Sequence, residues 1–200
     1  MKKELEVWAD VPEYEGHYQV SNLGRVRSLD RIAIHKNGAK HFKEGQIQKL
    51  QDNGNGRLYK QLKRDGTYRN YYISRLVMLA FVGERPEGYA ICHNDGDIKN
   101  NRLDNLRYDT NLENNIDQFR HNTEDLRGTL PLRTVLEIRK KLDSDNTITT
   151  KELATKHNVE VHVIQGIRSR LNYSWLNDDG TIQESKTAIY FKGNLEEYIA

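Results

Sequence analysis

The 200-residue chain is 36% hydrophobic and 30% charged, which supplies too little apolar material for one large core and favours small modules in series. Its net charge of +2 hides an asymmetry: Arg25 to Arg75 holds thirteen Lys/Arg against four Asp/Glu, or +9, leaving −7 for the remainder. One cysteine, Cys92, excludes an internal disulfide framework and a cysteine-built zinc site, while the lack of a leader or of any apolar run near the roughly 20 residues of a membrane span leads us to expect a soluble, cytoplasmic protein with no membrane partner.

In chain order, Glu6 to Leu29 alternates apolar and polar residues around Gly16 and Asn22-Leu23-Gly24. It reads as short strands, with Tyr18–Ser21 and Arg25–Leu29 as a hairpin. Asn53-Gly54-Asn55-Gly56 and Asp65-Gly66 are turn signals, the second between Leu58–Lys63 and Tyr68–Ile73, so the first ~75 residues are expected to be mostly β. The charge of this stretch is interleaved with Tyr59, Tyr68, Tyr71 and Tyr72. Such a pattern suits a surface that follows phosphates, and equally a solvated face of lysines on an ordinary sheet. Ser74 is the expected N-cap of a helix over 75–82, stopped by Gly83 and Pro86.

Tyr89–Cys92 predicts a short strand, Leu106–Tyr108 a returning one, and Thr110 an N-cap for a helix from about Asn111 to Phe119. His121 to Gly128 has the composition of a linker. Beyond it Leu132, Val135, Leu136, Arg139 and Leu142 keep a helical period, and shorter helices fit Thr150–His157 and Glu160–Arg170. The Tyr- and Phe-containing tail stays unassigned.

The stretch from Cys92 to Asn115, CHNDGDIKNNRLDNLRYDTNLENN, sets a histidine at the end of one strand, a returning strand, and a helix carrying Asn114. In order and content it resembles the HNH homing endonucleases of phages and group I introns, whose motif positions fall here on His93, Asn105 and Asn114, separated by twelve and nine residues. A neutral imidazole can take a proton from water, and an amide oxygen can help hold a hard cation. The resemblance therefore implies His93 as general base, Asn105 as the residue that bonds the hairpin backbone to aim it, and Asn114 as a ligand to magnesium, with manganese as the alternative. In many members the residue before the histidine is an aspartate that ligates the metal; here it is Cys92, a poor ligand for magnesium. Either the metal relies on Asn114, substrate phosphate and water, or Cys92 shifts preference toward a softer ion.

The segment from Trp8 to Arg31, WADVPEYEGHYQVSNLGRVRSLDR, resembles the nuclease-associated modular element found ahead of such domains. Its aromatics suit a core, and Arg25 and Arg27, with Lys60, Lys63, Arg64 and Arg69 of the later hairpin, are the candidate DNA contacts. Thr150 to Arg170 fits a helix-turn-helix with Ala154 at the helix crossing and Asn158 in the turn. His162, Gln165, Arg168 and Arg170 would then lie on the groove-facing helix.

The expected architecture is α+β and multi-module. A β-rich DNA-binding module spans 1–75, the ββα-metal HNH unit 76–122, a linker 123–131, the helix-turn-helix module 132–176 and an unassigned tail 177–200. The expected function is that of a monomeric site-specific endonuclease acting on double-stranded DNA and nicking one strand; the alternative is a non-cleaving DNA-binding protein or regulator built from the same modules.

Overall fold

A computed structural model describes residues 5–34, 37–121 and 130–198. The chain divides into two compact units, one of Met1–Asp117 with Thr187–Ala200 and the other of Gln118–Lys186. The expected α+β class is observed: strands dominate the first unit and helices the second. Among the described residues no helix is long and apolar enough to cross a membrane.

In the first unit β1 (Trp8–Asp10), β2 (Tyr18–Ser21) and β3 (Val26–Ser28) form an antiparallel sheet whose alternation turns Ala9, Tyr18, Val20 and Val26 inward. The turn between β2 and β3 also fastens this sheet to the loop 94–105. Gly24 adopts a φ of 79°, and a Cβ there would stand 2.9 Å from the carbonyl oxygen of Asn101. Beside it the Leu103 amide donates to the Asn22 carbonyl at 2.8 Å. β4 (Arg31–Ile34) and β5 (Lys40–Lys43) pair as a largely exposed hairpin. A second antiparallel sheet comprises β6 (Gln51–Asp52), β7 (Leu58–Arg64) and β8 (Thr67–Tyr72). Asp65 and Gly66 both take positive φ, 49° and 79°, as a two-residue primed turn requires.

The next element, α1 (Ile73–Phe81), starts earlier than expected: Tyr72 flanks it without a side-chain cap, and Ser74 is buried in the first turn. The chain passes straight from β8 into the helix, so burial of Ile73, Leu76, Val77 and Phe81 sets its start rather than a capping hydroxyl. These side chains join Val7, Val11, Leu62, Leu103, Leu106 and Tyr108 in one core. The expected boundary after residue 75 thus runs through a single core. β9 (Tyr89–His93) and β10 (Leu106–Thr110) pair antiparallel, and α2 (Asn111–Arg120) follows, with the Glu113 amide donating to Thr110 Oγ1 at 3.2 Å as an N-cap.

The tail also returns to this core. Ile189 and Tyr108 exchange backbone hydrogen bonds of 2.8 and 3.0 Å, and the Phe191 and Tyr198 rings lie 6.1 and 5.0 Å from that of Phe81. In sequence, therefore, the second unit is inserted between two segments of the first.

The second unit holds α3 (Leu132–Ser144), α4 (Thr150–His157) and α5 (Val161–Arg168). Thr149 and Glu152 form a capping box at the start of α4, and Asn158 ends it in a left-handed conformation with φ 53°. The helices enclose Val135, Ile138, Leu142, Leu153, Ala154, Ile164, Ile167 and Leu176. Arg139, which shares the apolar stripe of α3, is buried and donates to the carbonyls of Leu176 and Tyr173 at 2.7 and 2.8 Å. Of the expected linker, 123–131, residues 123–129 lie outside the described residues.

Candidate active site

Residues 93–105 form the mouth of the β9–β10 hairpin, a largely polar loop tied down by backbone turns and by the side chains of its asparagines and aspartates. Asn105 spans it: its amide nitrogen donates to Asp95 Oδ1 at 2.9 Å and to the Asn100 carbonyl at 2.8 Å, and its Oδ1 accepts from the Asp95 amide at 3.1 Å. The Asn94 amide adds a 2.8 Å bond to the Asn105 carbonyl. Opening the loop would leave several polar groups to find new partners, so the segment holding His93 is stiff.

His93 itself is buried, with Nε2 3.4 Å from Asn101 Oδ1. The Asn101 amide nitrogen donates to the Lys99 carbonyl at 3.0 Å, which turns its oxygen toward the ring. An oxygen in that place favours the tautomer protonated at Nε2, with the lone pair on Nδ1. Burial, reinforced by the nearby Arg57 guanidinium, outweighs Asn101 and the carboxylates of Asp95 and Asp97, and holds the imidazole pKa below its ordinary 6.5. The neutral, proton-accepting form therefore prevails at physiological pH. Within an asparagine-rich loop nothing in the sequence marks Asn101 as the one that meets the histidine.

Cys92 lies on the opposite face of β9, directly across from Arg107 of β10. Its thiol is buried, and burial pushes its pKa up to about 12 against the pull of Arg107, with Asp117, Asp109 and Glu113 adding to the rise. In the metal-free protein the thiol is thus held protonated, a form that suits a hard cation poorly. Among the described residues no group of three or more His, Cys, Asp or Glu side chains is arranged to hold a metal ion. Asn114, one of the residues lining a cleft of about 440 Å³, carries an oxygen of the right type for a hard cation. The protein's own donor set thus fits a cation completed by phosphate and water rather than a preformed cage. We expect Cys92→Ser to leave the cation requirement unchanged. Cys92→Asp adds a carboxylate to a buried place already surrounded by Asp109, Asp117 and Glu113, so that variant should melt below wild type in chelator and recover as magnesium is added. Thermal melts across a magnesium titration measure this, and a thiol ligand would instead show as loss of cation response in the serine variant.

Behind Cys92 lies a buried ion cluster that the sequence did not reveal. Arg107 donates through Nε to Asp109 at 2.9 Å, through Nη1 to Asn94 at 2.7 Å and through Nη2 to Asp117 at 2.6 Å. It joins the residue after His93, the second strand, and the helix one turn beyond Asn114. Asp109 also accepts from Thr187 Oγ1 at 2.5 Å, which ties the returning tail to the same cluster.

The structure does not bring the candidate DNA contacts of the first unit into one patch. Cross-strand pairing sets Lys60, Arg64 and Arg69 on the face of buried Leu62, and Lys63 on the other, where its ammonium lies 4.9 Å over Tyr68. Arg25 is ion-paired with Glu6, and Arg64 reaches Glu15 and Asp65 at 3.7 and 3.6 Å. Arg27 stacks 4.4 Å from Trp8 and bonds Gln19. On α5, His162, Gln165 and Arg168 are all exposed, whereas Arg170 pairs with Asp143 and Asp178.

Comparison with known proteins adds identity to this geometry. The NUMOD4 motif matches residues 6–69, and the HNH endonuclease family pattern matches residues 71–116. The DNA endonuclease I-HmuI of Bacillus phage SP01 is 33% identical over 136 residues, an alignment covering 66% of this chain and 66% of that protein, just under two thirds of its length. A solved structure of DNA binding and cleavage by the HNH homing endonuclease I-HmuI aligns with a TM-score of 0.47 and 24% identity, over 94% of this chain and 99% of that one.

Proposed function

Since the chain belongs to the HNH homing endonuclease family, we propose that it is a site-specific DNA endonuclease that hydrolyses a phosphodiester bond with His93 as general base. The observation that carries this is the placement of His93: a buried imidazole at the end of β9, its Nε2 3.4 Å from Asn101 Oδ1, in surroundings that favour the neutral form. Asn105 fixes the loop from which the ring projects, and so aims it. Asn114 would hold a divalent cation, with magnesium the ion proposed, and the cation would supply positive charge to the phosphate and the leaving oxygen.

Asn105 and Arg107 keep the base and the cation-holding helix in register, and the burial of His93 excludes bulk water from its ring. His162, Gln165 and Arg168, at helical spacing on the open side of α5, are suited to the edges of bases in a major groove. The protein is proposed to act as a monomer. A single His93 then serves a single strand, so the product is a nick.

Strand-resolved mapping on a duplex containing an intronless target is the test. We expect one strand to be cut in magnesium or manganese and neither in chelator. Binding to the same duplex without cleavage in any divalent ion would instead establish the rival reading of a non-cleaving regulator, for which the protonated Cys92 at a ligand position is the specific support.

A further inference from the structure

The cleft that holds Asn114 is also lined by Arg57, Arg75 and Arg85, with Glu84 the one carboxylate among its lining residues. All three arginines are exposed. Among the described residues no ion pair joins any of them to a carboxylate, in contrast to Arg25, Arg64, Arg102 and Arg170. Arg75 is the partly engaged member, its guanidinium 5.7 Å over the Tyr71 ring. The fold thus leaves the charge of these three arginines without a carboxylate partner, and they come from three separate places in the chain.

Their convergence is built rather than incidental. The loop before Arg57 is closed by Asn53, whose Oδ1 accepts from the Arg57 amide at 3.1 Å. Gly56, with φ 83°, lets that loop lie against Ile98 and Lys99; an added Cβ would stand 3.3 Å from Ile98 and 3.4 Å from Lys99. Lys99 completes the joint with an ion pair to Asp52 at 3.7 Å. Arg57 is therefore held against the loop that carries His93, close enough to act on the imidazole electrostatically, while Arg75 and Arg85 flank the cleft from the two ends of α1.

We propose that Arg57, Arg75 and Arg85 seat the backbone phosphates of the strand that is cut, on either side of the bond presented to His93. This rests on the endonuclease reading and specifies its substrate subsite. Guanidinium groups suit the task because each can donate two parallel hydrogen bonds to a phosphate. The cleft also explains how a site short of anionic ligands is completed, since the phosphates held there bring anionic oxygens to the wall formed by Asn114.

Binding of the full-length protein to a target duplex in chelator, followed across a salt series, tests the proposal without cleavage. Removing one arginine–phosphate interaction should lower the slope of log affinity against log salt by about 0.9. Arg57→Gln and Arg75→Gln should each reduce it by about that amount and the triple glutamine variant by roughly 2 to 3, with melting temperatures near wild type. Arg57→Lys should keep the slope, and Arg102→Gln, whose guanidinium is bound by Asp104, should not change it. Unchanged slopes in the single and triple variants, or an equal reduction in Arg102→Gln, would overturn the proposal. A wild type that binds with these slopes but never cuts DNA would overturn the endonuclease reading instead and leave the phosphate seat standing.

Discussion

His93→Ala should lose cleavage by about 10²- to 10⁴-fold while binding its duplex with wild-type affinity, because the change removes proton transfer and leaves every arginine of the cleft in place. Cleavage kinetics and affinity in chelator, measured on one duplex, separate the two effects. A pH series on the wild type adds a second requirement. Protonation silences a base, and burial holds the imidazole pKa below 6.5. The rate should therefore be level near neutrality and decline as pH falls through that lowered value. The same shift makes His93 a stability group whose contribution is present above pH 6.5 and lost as pH falls through the folded value, so acid melts should be run beside the kinetics. Near-native cleavage by the alanine variant, or a rate that first declines well above pH 6.5, would remove His93 from the role of base.

How much of this was legible in the sequence follows from the range of the interactions involved. The Asp65-Gly66 turn, the helical periods and the alternation of the strands are local, and the residues themselves state them. The spacing of His93, Asn105 and Asn114 is local too, since one hairpin and one helix carry all three. What escaped is what joins distant segments. Arg107, Asp109 and Asp117 look like solvated charges on an edge strand and a helix, yet they are buried because each satisfies another. The tail showed no period, and it is ordered by Phe81 and Tyr108, each about 80 residues or more before its partner. Arg57 sat in a run of cations with nothing to distinguish it from Lys60 or Arg64. The approach of its loop to Ile98 and Lys99, a contact between distant segments, sets it against the loop that follows the histidine.

Arg107→Met should be the most damaging single change to the first unit. The methionine fills comparable space but leaves Asp109 and Asp117 buried without their cation, and breaking a buried pair in this way costs about 3–5 kcal/mol. For a unit of this size that corresponds to a drop in melting temperature on the order of 10 °C or more. Burial alone would disfavour the guanidinium charge, and the hydrogen bonds to Asp109 and Asp117 more than offset it, so the residue is charged throughout the working range. Arg107→Lys distinguishes a positioning role from a purely structural one. Lysine keeps the charge but loses the planar fork that reaches Asn94, Asp109 and Asp117 together. That variant should fold with a smaller loss, bind DNA as wild type does, and yet cut more slowly at saturating substrate, because the hairpin holding His93 and the helix holding Asn114 are no longer locked in register. Chemical denaturation of both variants, with single-turnover cleavage of the lysine protein, provides the measurement. A methionine variant within about 1 kcal/mol of wild type, or a lysine variant with full cleavage, would mean that the cluster neither stabilises the unit nor aligns its site.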